Sequence, residues 1–375
     1  MRPDGWDGIA RILAVRLDNL GDLVMLGPSL RALRNRFPDA RITLLASPAG
    51  ARAAPLLACI DDVITHRATW QDASGALPLD PTREIGLVET LRGGAFDAAF
   101  IFTSFSQSPW PPAFACYLAG IPRRVGQARD FGGSLLTVRA TPPPDCTHQV
   151  DRNLHLLQAI GVAVGDRDLA VAPPAEAEAS ADRALRRLGI APGEPFVLVA
   201  PGASCTARRY SPSRFAQAIT RLGRAVRMPI VLTGSPREAT LVETIRVRAR
   251  SACVRSLGGD SSVVELAAIV ARARLLVGNN SGPMHLADAC RCPMVILYSG
   301  TDLEEQWQPR RAPATLLRRP TPCEPCYRFE CPYHMECLDI PASEVADACL
   351  DMLERTAHRA RVPARIGAAS SAPGS

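Results

Sequence analysis

The sequence predicts an α/β protein of two Rossmann-like domains, whose parallel sheets face each other across a cleft. Short apolar runs alternate with helical segments of roughly 10–15 residues, the pattern of parallel βαβ units. The alternation occurs twice, on either side of a segment rich in proline, alanine and glutamate at 170–181. The length of 375 residues suits two domains of about 150 residues each. We therefore predict an N-terminal domain at 1–172, a C-terminal domain at 173–358 and a disordered tail at 359–375.

The first half begins with a predicted strand at Arg11–Arg16, a short apolar run. A helix is predicted at 22–36, because leucines spaced three and four residues apart share one face. Residues 126–133 are predicted to form a loop. The other predicted elements of this half are strands at 41–46 and 97–102 and helices at 82–91 and 149–160.

The second half repeats this alternation. Ser211 and Pro212 are typical of the N-cap and first turn of a helix. A capping box, Ser262 with Glu265, predicts another helix start. The other predicted elements of this half are strands at 195–200, 229–233, 274–278 and 294–297 and a last helix at 343–356.

The composition narrows the classes of function. The net charge is +6, carried by arginine, which suits a nucleotide ligand or an anionic membrane surface but also fits an arginine-rich proteome. Aromatic residues make up 5%, so base stacking and nucleic-acid binding have little support. No apolar run approaches the roughly 18 residues of a membrane span, and the polar start does not resemble a secretory signal. We expect a cytoplasmic protein, or one that contacts the inner membrane only at its surface.

The loop after the first strand is one candidate site. It contains Asn19, Gly21 and Asp22 at the start of the predicted helix. Because the loop has a single glycine, it lacks the GxGxxG pattern of a dinucleotide site, which argues against an NAD enzyme. A carboxylate at a helix start is electrostatically favoured, so spacing alone leaves open whether Asp22 is a structural charge or a general base.

Two loops of the second half carry polar groups just after predicted strands. Ser204, Thr206 and Arg208 lie in a loop of small residues, where hydroxyls, free N–H groups and a guanidinium can hold phosphate. Glu238 follows the next strand, where a carboxylate can bind ribose hydroxyls. The alternatives are a solvated loop with surface arginines and a glutamate that only starts a helix.

The stretch 277–286 is the most specific signal. A strand ends, residues 280–282 turn the chain, and a proline stands where the first helical residue is expected. The free N–H groups of such a helix start attract an anion, and a histidine lies in the same turn. A lone histidine is otherwise often structural. The candidate ligand-binding residues are Asn280, Ser281, Gly282, Pro283, Met284 and His285.

Four cysteines lie close together late in the chain. In an intracellular protein such a cluster suggests zinc more than disulfides, but the gap between the third and fourth is longer than zinc sites usually have. We expect packed thiols in a structural loop, with a structural zinc as the lesser alternative and no catalytic metal or other cofactor. The cysteines are Cys323, Cys326, Cys331 and Cys337.

Several of these segments resemble one family. The run from Arg16 to Pro28, the loop 201–210, and the stretch 277–286 with 298–302 after it are similar to the motifs of the heptosyltransferases, glycosyltransferase family 9. The resemblance implies a GT-B architecture, with the acceptor in the first domain and a nucleoside-diphosphate sugar in the second. It also implies that Asp22 matches the family's proposed catalytic base.

The donor motifs match with four departures. Arg208 stands where the family has a lysine, and Tyr210 and Ser211 stand where tryptophan and proline are usual. Glu238 matches a ribose-binding glutamate. Asn280 replaces an aspartate, so a charged acceptor for sugar or ribose hydroxyls is replaced by an amide.

The resemblance implies an inverting glycosyltransferase. Its expected partners are ADP-heptose or a related donor and an acceptor in the lipopolysaccharide core or another surface glycan or glycolipid. Two alternatives stay open: an inactive or regulatory relative that binds nucleotide sugars, and a sugar-nucleotide epimerase of similar fold.

Overall fold

The computed structural model describes residues 3–73, 75–259 and 261–357. The predicted disordered tail at 359–375 lies outside the described residues. The first half contains strands β1 (Arg11–Arg16), β2 (Arg41–Ala46), β3 (Asp62–Thr65), β4 (Ala98–Ile101), β5 (Arg123–Gln127) and β6 (Val138–Ala140), with helices α1 (Leu20–Arg36), α2 (Pro48–Ala51), α3 (Pro81–Gly93), α4 (Trp110–Leu118) and α5 (Gln149–Gln158).

The second half has a matching set of elements. It contains helix α6 (Ala175–Arg187), strands β7 (Val197–Ala200), β8 (Ile230–Leu232), β9 (Val254–Ser256), β10 (Leu275–Asn279), β11 (Met294–Leu297) and β12 (Ala314–Leu317), and helices α7 (Pro212–Ala225), α8 (Ala239–Arg248), α9 (Val263–Arg272), α10 (Gly282–Ala289), α11 (Glu304–Trp307) and α12 (Ala342–Arg355).

The strands form two six-stranded sheets with the same topology. The orders are β3-β2-β1-β4-β5-β6 and, in the second half, β12-β11-β10-β7-β8-β9. All the paired strands within each sheet run parallel. The strand order reverses between β1 and β4 in the first sheet and between β7 and β10 in the second. Ligands of doubly wound sheets bind beyond the strand ends at such a reversal. The predicted α/β class is confirmed.

Burial explains why the central strands were predicted well. All four residues of β4 and of β7 are buried, so both strands are continuous apolar runs covered by helices on two faces. Helix α1 packs against α5 and also against α10 of the second half. Among the described residues, no helix is both long and apolar enough to cross a lipid bilayer.

Two predictions about irregular segments are wrong. Residues 126–127 belong to β5 rather than to a loop, and the buried amide of Gln127 donates to the carbonyl of Arg152 at 2.8 Å. The segment 170–181 is not all linker, because α6 begins at Ala175 and buries an alanine face against α9. Alanine and glutamate favour helix, and the prolines before them only begin it. The domain division at residue 172 stays a prediction.

The predicted helix starts are confirmed, but their caps differ. Ser211 occupies the N-cap of α7 without a capping hydrogen bond from its side chain. Ser262 accepts a hydrogen bond from the backbone N–H of Glu265 at 3.2 Å, which satisfies one free donor of α9.

Candidate active site

The starts of α1 and α10 meet where the two halves face each other. A Cβ atom added to Gly21 would lie 2.5 Å from Cδ2 of His285, and one added to Gly282 would lie 2.7 Å from Cδ2 of Leu20. Both distances are shorter than real Cβ contacts, so a side chain at either position would force His285 or Leu20 to move. The first candidate loop is therefore brought against the most specific motif of the second half.

Asp22 stands in the first turn of α1, beside the other half of the protein. Its Oδ2 accepts a hydrogen bond from the backbone N–H of Asn19 at 3.2 Å, as a capping residue does. Its Oδ1 lies 2.8 Å from a guanidinium nitrogen of Arg16. The side chain is 15% exposed. The helix-start role and a site role thus coexist in one carboxylate.

Arg16 lies fully buried beneath this carboxylate and was not predicted as a site residue. Its Nε is 2.8 Å from Oδ2 of Asp18, and its NH2 group donates to Oγ of Ser104 at 2.8 Å. Burial lowers the pKa of Arg16, but the charges of Asp18 and Asp22 outweigh it and raise the pKa above its ordinary value. The site therefore rests on a permanent positive charge.

Asp18 is a second carboxylate on the same arginine. Burial raises its pKa to about 6, against the opposing effects of Arg16 and of a hydrogen bond from Gln107. The charge of Asp22 adds to the rise. Asp18 and Asp22 thus share one cation, and Asp18 can take up a proton near neutral pH.

Arg16 and Asp18 both lie in the segment 16–28, which resembles the family motif. Nothing in the motif showed that Arg16 is buried, because a charge at a strand end is usually solvated. Its partner Ser104 is 88 residues away in the sequence, and Gln107 is 89 residues from Asp18. Only the tertiary structure brings these groups together.

The loops 201–210, 277–286 and 298–302, which are predicted to bind the donor, are called the donor loops and form the donor side. Arg208 provides a positive charge there. Its Nε donates to Oγ1 of Thr301 at 3.0 Å, and its NH2 group lies 2.6 Å from Oδ2 of Asp302. Burial lowers the pKa of Arg208, whereas Asp302 and, more weakly, Asp22 raise it, with a net rise. The influence of Asp22 shows that the two predicted key residues lie within electrostatic range of each other.

His285 is buried in the first turn of α10. Burial lowers the pKa of His285 to about 4, even though the nearby charge of Asp22 acts to raise it. The imidazole is therefore neutral at pH 7 and can donate or accept a hydrogen bond.

The start of α10 is free of a side-chain cap. Ser281 occupies the N-cap, but its hydroxyl donates to the carbonyl of Gly202 at 3.3 Å instead of capping the helix. Pro283 lies in the first turn, and Met284 is buried. Pro283 has no N–H and the N–H of Met284 donates to the carbonyl of Ser281 at 3.0 Å, so the N–H of Gly282 is the donor that this helix start can offer to an anion.

Asn280 and its neighbour Asn279 tie the donor loops together. Oδ1 of Asn280 accepts hydrogen bonds from the N–H and Oγ of Ser299, both at 3.2 Å. Asn279, which was not predicted, accepts from the N–H of Tyr210 at 3.1 Å and donates to the carbonyl of Pro201 at 2.7 Å. The side-chain oxygen of Asn280 is thus already hydrogen-bonded within the protein rather than free to accept from ligand hydroxyls.

The remaining donor-side candidates differ in how free they are. Ser204 is exposed, whereas Oγ1 of Thr206 already donates to the carbonyl of Phe329 at 3.2 Å. Oε2 of Glu238 accepts from the N–H and Oγ of Ser235, both at 2.8 Å, so its side chain caps the start of the short helix Pro236–Glu238. Its carboxylate also lies directly against Gly202, where an added Cβ would clash with it. Glu238 is therefore beside the donor loop as well.

The cysteine-rich loop packs against these donor loops. The N–H of Cys326 donates to the carbonyl of Gly300 at 3.0 Å, and that of Tyr327 donates to Thr301 at 2.8 Å. All four thiols are free, and Cys323 is exposed. Across 3–73, 75–259 and 261–357, no three His, Cys, Asp or Glu side chains are placed to hold a metal ion. A structural zinc at this loop stays a prediction.

Further contacts join the two halves around the site. The ring of Phe105, from the loop after β4, lies 5.2 Å from that of Tyr327 between centroids. His148 at the start of α5 hydrogen-bonds through Nε2 to the carbonyl of Gln308 at 3.0 Å. The cleft is thus bounded by side chains of both halves.

Two sheets of the same doubly wound topology, with helix starts that meet between them, form the GT-B architecture. Residues 85–336 match the sequence model of glycosyltransferase family 9 (heptosyltransferase). The chain belongs to this family and is a glycosyltransferase.

Individual relatives agree with this assignment. The chain is 26% identical over 298 residues to lipopolysaccharide heptosyltransferase 2 of Escherichia coli K12, covering 77% of this chain and 82% of that relative. It is 24% identical over 295 residues to lipopolysaccharide heptosyltransferase 3 of the same strain, with the same coverage. The solved structure of E. coli ADP-heptose lps heptosyltransferase II superposes with a TM-score of 0.71 at 20% identity, covering 92% of this chain and 99% of that one.

Proposed function

We propose that this glycosyltransferase moves a heptose from ADP-heptose to a hydroxyl of a lipopolysaccharide core acceptor, with inversion at the anomeric carbon. One observation carries the proposal. The carboxylate of Asp22, which the buried Arg16 holds, lies within electrostatic range of Arg208 and His285 across the meeting helix starts. The names of the relatives, lipopolysaccharide heptosyltransferases 2 and 3 and an ADP-heptose transferase, support the choice of donor and acceptor.

Asp22 acts as the general base in this proposal. The acceptor hydroxyl gives its proton to the carboxylate while its oxygen forms a bond to the anomeric carbon. The bond from that carbon to the diphosphate oxygen breaks, and the nucleoside diphosphate leaves with the electron pair. Arg16 holds the carboxylate through Oδ1 at 2.8 Å, which fixes its direction before the acceptor arrives.

The leaving diphosphate gathers negative charge as the bond breaks. In this proposal the backbone N–H of Gly282 and the guanidinium of Arg208 stabilise it. Because these charges come from the chain, the reaction needs no catalytic metal in this proposal.

The donor-side set holds the rest of the nucleotide sugar. Neutral His285 contacts a phosphate or sugar oxygen as a hydrogen-bonding group, and the carboxylate of Glu238 beside Gly202 binds ribose hydroxyls. Asn280 orders the donor pocket through Ser299. The complete proposed set is Ser204, Thr206, Arg208, Glu238, Asn280, Ser281, Gly282, Pro283, Met284 and His285.

The loop with Asn19 and Gly21 faces the acceptor in this proposal. An acceptor of the lipopolysaccharide core is anchored in a membrane, so the enzyme would work at the cytosolic face of the inner membrane.

The test is a transfer assay with ADP-heptose and a panel of lipopolysaccharide core acceptors. We expect Asp22→Asn to lower kcat by at least about 10²-fold while ADP binding stays within about twofold of wild type. Asp351→Asn is the matched control, because Asp351 is 57% exposed in a helix-surface ion pair on α12. An unchanged rate in Asp22→Asn would remove Asp22 from the base role.

The same assay addresses the inactive alternative, which the asparagine at 280 favours. Donor binding without turnover across the whole acceptor panel would support that reading. Asn280→Asp then tests the cause, since it restores the family's usual residue. A gain of transfer in this variant would show that the amide had cost the activity.

A further inference from the structure

The outer face of α4 is unusually apolar for a solvent-facing surface. Phe114, Tyr117 and Leu118 are 50%, 50% and 44% exposed. They lie three and four residues apart, so they share one face of the helix, while Ala113 and Cys116 on the other side are fully buried. None of the nine residues of α4 is charged. Three large apolar side chains exposed to water on one helix face indicate a binding surface.

The loop after β5 extends this face. Phe131 is 87% exposed. Its neighbour Gly132 lies so close to the indole of Trp110 that an added Cβ would clash, and the indole N–H donates to Asp130 at 2.8 Å. Because Trp110 is one turn before Phe114 on α4, Phe131 continues the exposed apolar face. We call Phe114, Tyr117, Leu118 and Phe131 the apolar face.

Arginines border the apolar face. Arg92 donates to the carbonyl of Leu118 at 3.0 Å, and Arg139 donates to the carbonyl of Asp130 at 3.1 Å. Both side chains are exposed, and within the described part of the chain neither joins an ion pair. Of the other arginines at 102–141, Arg124 is buried and Arg129 pairs with Asp145. The positive charge at the border of the face therefore comes from Arg92 and Arg139.

The apolar face adjoins the site. The loop between β4 and α4 sends Ser104 to Arg16 and Gln107 to Asp18 before it continues into Trp110 at the start of α4. A partner bound to the apolar face is therefore held on the same half of the protein as Asp22.

The charge of the border decides between two kinds of partner. If a second copy of the chain covered the face by two-fold pairing, both paired surfaces would carry the same positive border, and like charges would oppose the contact. An anionic lipid surface instead attracts arginines and accepts aromatic and aliphatic side chains between its headgroups.

We propose that the apolar face, with Arg92 and Arg139 at its border, docks this enzyme on an anionic lipid bilayer. Docking presents the cleft to acceptors anchored in the same bilayer. The consequence for the acceptor rests on the proposed function, whereas the docking itself does not.

Vesicle sedimentation tests the docking. The full chain is mixed with vesicles of equal parts phosphatidylglycerol and phosphatidylcholine, or of phosphatidylcholine alone. We expect binding to the anionic vesicles that weakens with salt, and a loss of about tenfold or more in the double variant Phe114→Ser/Phe131→Ser. Arg92→Gln/Arg139→Gln should weaken binding only to the anionic vesicles.

Val247→Ser is the matched control, because Val247 is 65% exposed on α8 of the second half. All these side chains are exposed, so thermal unfolding should be unchanged and should report any misfolding. Equal vesicle binding by wild type and the Phe114/Phe131 variant would overturn the proposal, as would absence of wild-type binding. A wild-type dimer in sedimentation velocity that becomes monomeric in this variant would show that a second copy occupies the face.

A water-soluble acceptor fragment separates this inference from the proposed function. The Phe114/Phe131 variant should glycosylate the soluble fragment at the wild-type rate and lose activity only on vesicle-embedded acceptor. Failure of wild type on both acceptors concerns the proposed reaction and leaves the vesicle binding result standing.

Discussion

The shared arginine beneath the site makes Asp18 a source of pH-dependent stability. In the folded protein its pKa is raised from 3.8 to about 6, chiefly by burial, and its side chain is 11% exposed. An acid whose pKa is raised on folding favours the folded state in its protonated form. That contribution is complete below pH 3.8 and is lost as the pH rises through about 6.

Asp18→Asn removes this titration. One pH unit of pKa change corresponds to about 1.36 kcal/mol, so the whole contribution is about 3 kcal/mol. Roughly half of it falls between about pH 5 and pH 7.5. We expect the stability of wild type relative to Asp18→Asn to fall by that amount over this interval. The lost contact with Arg16 shifts both ends of the interval equally and does not enter the slope.

Urea unfolding at a series of pH values measures the difference directly. The matched control is Asp166→Asn, because Asp166 is 62% exposed and paired only with a partly exposed arginine. This variant removes one exposed carboxylate and so controls for the loss of a negative charge by itself. A pH-independent difference between wild type and Asp18→Asn would show that Asp18 stays ionised in the folded protein and would refute the reasoning.

Four further predictions concern the meeting helix starts and the donor side. Gly21→Ala drives a methyl group into His285 and should lower kcat/KM by about 10²-fold. Gly86→Ala, in open space on α3, should instead raise the free energy of unfolding by about 0.5–1 kcal/mol. An equal loss of kcat/KM in the two variants would contradict the steric argument. Arg208→Gln should weaken ADP binding about tenfold by calorimetry, and unchanged affinity would exclude Arg208 from the diphosphate site. The His285 ring should titrate near pH 4 by NMR, and a midpoint near 6.5 would show that it is solvated. EDTA should leave the transfer rate unchanged, and a lost rate restored by added cation would reveal a metal requirement.

The central elements could be predicted because their signal is local. Strands β4 and β7 are buried along their whole length, so each appears in the sequence as an unbroken apolar run. The edge strands were missed for the opposite reason. In β3 the residues alternate between half-buried and exposed, and all four of β12 are half-buried. Such short segments pair at a sheet edge without an apolar run to mark them.

The candidate site divides in the same way. The helix starts that carry Asp22, Gly282 and His285 could be predicted because a helix start after a strand is a local pattern. Arg16 and Asp18 could not, although they stand in the same motif as Asp22. Their role depends on contacts with a loop 88 and 89 residues away and on the burial that those contacts bring.

The order of residues along the chain by itself determined the doubly wound halves and the polar groups at their strand ends, since periodicity and capping are set by near neighbours. The folded arrangement alone decided that α1 and α10 meet at Gly21 and Gly282, that Asp18 and Asp22 share Arg16, and that α4 presents an apolar face to solvent. These features depend on distance and desolvation between groups far apart in the chain, which no local pattern encodes.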